Sequence, residues 1–110
     1  MECNLFRKSR TRCWRYCGRV NVIALKSPAD LDKMRAAGRI VAETLAMLES
    51  RISPGVTTLE LDRLAEKECR RQGGKPAFKG YGGFPYAICS SPNEQVVHGF
   101  PNSIPLLEGD

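Results

Sequence analysis

The run Asn93-Glu94-Gln95-Val96-Val97-His98-Gly99-Phe100-Pro101 holds the one histidine of this chain. Imidazole is the side chain best suited to hold or pass a proton near neutral pH. Upstream stands Cys89, a soft thiol. Before it comes an aromatic, glycine-rich stretch, Tyr81-Gly82-Gly83-Phe84-Pro85-Tyr86, with Phe78 ahead of that. The aromatic run with its glycines reads as a flexible apolar loop. The glycines let such a loop fold its rings over a ligand. The same rings can equally cap a core, and a lone histidine is more often structural than catalytic. At a strand end beside Gly99, however, His98 can reach a cleft. There it can donate a hydrogen bond to a bound group.

The elements that must position these groups follow from pattern. Ser27 can cap a helix, Pro28 fits its first position, and Asp30 and Asp32 sit where the helix dipole favours anions. Leu31, Met34, Gly38, Val41, Leu45 and Leu48 recur at threes and fours, one apolar stripe on a helix of about six turns. Gly38 marks either a close packing contact or a plain helix cost of about 1 kcal/mol. Met34 and Met47 read as core or surface filler. Ser53-Pro54-Gly55 breaks the chain. Thr57 with Glu60 is a capping-box signature for a second helix, with Leu61, Leu64, Ala65 and Cys69 inward and Gly73-Gly74 as its stop. Residues 77–78 read as extended, 87–90 as a strand, 91–94 as a turn and 95–98 as a return strand. Helix, helix, then antiparallel strands is an α+β order.

The chain has 110 residues, the scale of one small domain. No apolar run approaches the ~18 residues that would span a membrane. The net charge of +5 is local: residues 1–26 hold seven Lys/Arg against one acid, while the rest hold ten basic against eleven acidic residues. A cationic cluster can bind phosphate but says nothing of the domain behind it. Residues 1–20 lack a secretory apolar core. Arg-rich, acid-poor leaders include transit peptides, but the composition is read here as a disordered extension or an upstream start. The domain proper is therefore taken as 21–110. The five cysteines, Cys3, Cys13, Cys17, Cys69 and Cys89, are odd in number and suggest no disulfide framework. Cys13 and Cys17 are half of a zinc spacing without a second half, so free thiols in a reducing cytoplasm is the reading.

The stretch from about Val22 to Asp110 resembles the N-terminal portion of type I methionine aminopeptidases. The likeness runs through KSPADLDKMRAAGRIVAETLAML, ISPGVTTLELDRLAE, GYGGFPYAICSSPNEQVVHGFP and LLEGD, in the family's order and spacing. The helical pieces are weak alone; the aromatic loop, the N-E-x-V-x-H-G-x-P run and L-x-x-G-D together are specific. Residues 1–20 lie outside it.

The resemblance implies the pita-bread fold, two pseudo-symmetric α+β halves around a dinuclear divalent-metal centre, of which this sequence matches most of the first half. It implies removal of the initiator methionine from new polypeptides when the second residue is small. His98 matches a histidine that contacts substrate near the scissile amide and helps stabilise the transition state. Tyr81, Phe84, Cys89 and Phe78 match positions that line the methionine side-chain pocket; Phe78 departs from bacterial members, which often carry a cysteine there. The family's metal ligands, two aspartates, a histidine and two glutamates, all match positions beyond Asp110. No residue here is therefore expected to ligate metal, and the 110-residue chain alone is expected to be inactive. Cobalt, manganese, iron and zinc all suit such a site. Nascent polypeptide N-termini and the ribosome are the expected partners, with no membrane, a cytoplasmic location and a monomeric full-length enzyme. The alternative is a non-catalytic pita-bread binding module associated with RNA or the ribosome.

Overall fold

The computed structural model describes residues 23–110. The basic segment 1–20, with Cys3, Cys13, Cys17 and the zinc alternative, lies outside the described residues.

Helix α1 spans Pro28–Glu49, 22 residues, and starts as its sequence dictates. Ser27 is extended, its hydroxyl accepts from the Asp30 N–H, and the Asp30 carboxylate accepts from both the Ser27 N–H (3.2 Å) and hydroxyl (2.7 Å). Those bonds, the hydroxyl's first, hold the Asp30 carboxyl below the usual carboxylate range. Helix α2, Thr58–Arg71, repeats the device with Thr57 and Glu60. It ends on a left-handed Gly73, whose N–H reaches Arg70 O while Gly74 N–H reaches Cys69 O. This paired closure satisfies two of the helix's last carbonyls. A Cβ on Gly74 would meet Cys69 Sγ at 2.9 Å and Cys69 O at 3.1 Å, so a larger residue there would have to push the Cys69 thiol aside.

The apolar stripe expected on α1 is buried only at one end. Residues 28–39 are all exposed, Leu31 and Met34 included, Val41 and Leu45 beyond them are exposed too, and only Thr44 and Leu48 of this helix are buried. The reason is where α2 lies: it covers the C-terminal turns of α1 alone. Among the described residues nothing stands within 4 Å of a Cβ built on Gly38, so that glycine serves no close contact with them. The core is small. Leu48, Leu61 and Ala65 form it, and Met47, Val56, Leu64, Ile88 and Leu106 pack against it.

The strands expected over 87–90 and 95–98 form no ladder among the described residues, where an isolated antiparallel bridge joins Thr57 and Pro105. The backbone donors go elsewhere. Ala87 and Ile88 N–H both donate to Oδ1 of Asp62, at 2.8 and 3.0 Å. Residues 95–98 are bounded by Asn93 and His98, both in the left-handed region. The segment is instead fastened to one polar stripe of α2. Lys79 Nζ pairs with Glu66 at 2.6 Å, the 87–88 amides with Asp62, and Asn102 with Thr58 in both directions. Thr58, Asp62 and Glu66 are four residues apart and share one face. Residues 79–102 therefore run back along α2 from its C-terminal to its N-terminal end. Leu106 then pairs its N–H with Val56 O and its carbonyl with Gly55 N–H, both at 2.8 Å.

Asp62 is 4 % exposed. Asp62→Ala leaves two part-buried amides without this acceptor, and a loss of about 1–3 kcal/mol is expected from urea unfolding, with Asp62→Asn costing less because it keeps one oxygen. Several carboxyls held below their usual range, those of α2 among them, contribute to the acidic limb of stability. Hydrogen bonds from Arg71 first, then Gln72, lower Glu68 from 4.5 to about 2, and the backbone and hydroxyl of Thr57 lower Glu60. A depressed folded value gives stability that is present above the ordinary value and lost as pH falls towards the folded one. Helical ellipticity should fall between pH 4.5 and 2, and Glu68→Gln should flatten that fall; an unchanged acid profile in the variant would count against this assignment.

Candidate functional site

The site is built on the turn between Cys89 and Gly99. Ser90 N–H donates to Gly99 O at 2.9 Å, and Gly99 N–H donates to Ser91 Oγ at 2.9 Å. Gly99 lies so close to the Ser90 carbonyl and the Gln95 side chain that a Cβ would overlap both. His98, next to it, sits at φ 56°, a conformation that costs a non-glycine residue of order 1–3 kcal/mol. Together these bring the ring across the turn. His98 Nδ1 lies 3.8 Å from Cys89 Sγ, within hydrogen-bond range for sulfur, with donor and acceptor set by the ring's tautomer.

Cys89 faces an apolar groove of about 510 Å³ between the C-terminal half of α1, the end of α2 and residues 74–78 and 87–89. Ile40, Leu48, Cys69 and Phe78 share the lining with it. Lys75 also borders the groove and is exposed. Thr44 contributes a hydroxyl that is buried and has no hydrogen-bond partner among the described residues.

The residues expected to form one cup are thus divided. Phe78 and Cys89 share the groove, and His98 joins them through Cys89. Tyr81, 80 % exposed at the start of a short 3-10 turn (Tyr81–Gly83), is not part of the groove wall. Phe84 packs edge-on against Tyr86 and Phe100, with ring centroids 5.9 and 5.1 Å away; Tyr86 and Phe100 are 5.7 Å apart. Such T-shaped pairs add about 0.5–1.5 kcal/mol each beyond area burial. Phe100 escaped the sequence reading, although an aromatic directly after His98-Gly99 was its signal. Asp62 escaped it too. Its signal was an acid on the inward face of an amphipathic helix, beside Leu61 and before Ala65. Lys79 is fixed nearby by Glu66, whose carboxyl is lowered first by that ammonium and then by Arg70.

Residues 32–110 match the model of Metallopeptidase family M24. The chain belongs to that family. It is 49 % identical over 89 residues to a methionine aminopeptidase of Clostridium perfringens, covering 81 % of this chain and 36 % of that protein. It is 51 % identical over 89 residues to methionine aminopeptidase 1 of Bacillus subtilis, again 81 % and 36 %. The crystal structure of methionine aminopeptidase from Rickettsia prowazekii superposes with a TM-score of 0.74 at 41 % identity, over 77 % of this chain and 34 % of that one. That of the Thermotoga maritima enzyme gives 0.72 at 43 %, over 74 % and 33 %. The chain therefore spans about a third of the length of the M24 relatives it matches.

M24 is a metallopeptidase family. Among the described residues no group of three or more His, Cys, Asp or Glu side chains is placed to hold a metal ion. The donors among the described residues do not by themselves fit a metal centre. No helix of the described residues is long and apolar enough to cross a membrane.

Gly99→Ala should open the turn and separate His98 from Cys89. In this M24 chain we expect the amides of Ser90 and Gly99 to exchange with deuterium at least about tenfold faster than in the parent, with α2 protection unchanged. Equal exchange in both would show that the turn tolerates the added carbon.

Proposed function

We propose that the protein carrying this segment removes the N-terminal methionine of polypeptides whose second residue is small. The observation that carries the reading is the placement of His98 beside Cys89 at the edge of the apolar groove. The groove accepts an unbranched thioether, and Phe78 and Cys89 offer it polarisable contacts. His98, with a proton on its outer nitrogen, donates to the scissile amide and steadies negative charge as it develops there. Tyr81 and Phe84 belong to the same loop, and we assign them to the substrate side of the pocket when substrate is bound. In M24 enzymes divalent metal ions supply activated water; cobalt, manganese, iron or zinc would serve. The substrates are nascent chains, met in the cytoplasm at the ribosome, by a monomeric enzyme.

The described residues offer no metal-binding cluster, so the 110-residue chain alone is expected to release no methionine from a Met-Ala-Ser peptide with cobalt or manganese added. The same segment joined to the remaining length of an M24 relative should release it. In that protein His98→Ala should lower kcat/KM about 10²–10³-fold, mostly through kcat. If the joined protein binds metal yet hydrolyses nothing while retaining RNA or ribosome binding, the non-catalytic module is the correct reading.

A further inference from the structure

Two half-buried free cysteines, Cys69 and Cys89, line the same groove. The chain's single imidazole stands 3.8 Å from Cys89. A thiol that can pass its proton to an adjacent base is an activated sulfur nucleophile. The groove beside it, about 510 Å³, has room for a peptide-sized group. Two further features suit such a group. The Thr44 hydroxyl, buried and unpartnered, needs a hydrogen-bond partner. The Lys75 ammonium at the rim favours a carboxylate.

We propose that Cys89 is a thiol-modification site, capped by exchange with a low-molecular-weight disulfide that carries carboxylates. Cys89 Sγ forms a bond to one sulfur of the disulfide, and the original S–S bond breaks. Its electron pair leaves on the second sulfur. The thiol proton passes to His98 Nδ1 and then to the departing thiolate. Cys89 is oxidised to the disulfide level, and the released thiol is the reduced product. The cap lies in the groove and excludes any other apolar occupant. A small thiol reverses the reaction. The site does not depend on the peptidase reading, since it requires only the Cys89–His98 couple.

The test is incubation of the chain with glutathione disulfide at neutral pH, followed by peptide mass spectrometry, with Cys69 as internal reference. Cys89 should be capped at least about tenfold faster than Cys69, and the ratio should fall to about one in urea. His98→Gln should slow Cys89 about tenfold and leave Cys69 unchanged. Lys75→Glu should slow capping by glutathione disulfide more than capping by cystamine, which is cationic. Should Cys69 speed up in His98→Gln, the variant is unfolded, and the native-against-urea ratio in the unsubstituted chain decides. A native ratio near one overturns the proposal. So does a Cys89 rate indifferent to His98→Gln in a variant whose Cys69 rate is unchanged.

Discussion

One carboxylate oxygen, Oδ1 of Asp62, accepts the backbone N–H groups of Ala87 and Ile88 from within the buried face of α2. Two amides bonded to one acceptor are hard to replace, because losing the acceptor leaves both part-buried donors without their partner. Ile88 is thereby pressed against Leu48, Leu61 and Ala65, and Cys89 is delivered to the groove mouth. With so few buried apolar residues, the placement of the segment depends on polar bonds more than on packing. The core supplies cohesion, and the α2 stripe supplies position.

The helices were legible because their signals are local. Ser27 with Asp30 and Thr57 with Glu60 close within a single turn, and both boxes form as the sequence indicates. The stop at Gly73-Gly74 is equally local. Beyond residue 74 the sequence shows alternation that suits strands, but the amides of 87 and 88 bond to a side chain 25 and 26 positions away. No periodicity reveals such a partner. The α1 stripe misled for a related reason: spacing shows which face is apolar, not how far along the helix a neighbour extends.

The site was legible as a set of residues and much less as a geometry. His98 stood out by type, and Cys89 and Phe78 through the family resemblance. Their meeting depends on a left-handed turn at His98 and on the absence of a side chain at Gly99, neither of which a motif displays. Tyr81 and Phe84 belong to the same quoted run, yet the structure sends one to solvent and the other to a cluster with Tyr86 and Phe100. Adjacency in sequence around glycines does not fix which way a ring faces.

The stripe of Thr58, Asp62 and Glu66 also constrains length. Each anchor is a little more than one helical turn from the next, and each holds a different point of the returning chain. Inserting a single residue between Asp62 and Glu66 would rotate everything after it by about 100°. Glu66 would then leave the face on which Lys79 meets it, while Asp62 still held residues 87 and 88. Helix α2 thus acts as a ruler that cannot change by one division. A change in chain length within the turn from 91 to 97 would move no anchor on the helix, but it would fall inside the loop that Ser90, Ser91 and Gly99 close.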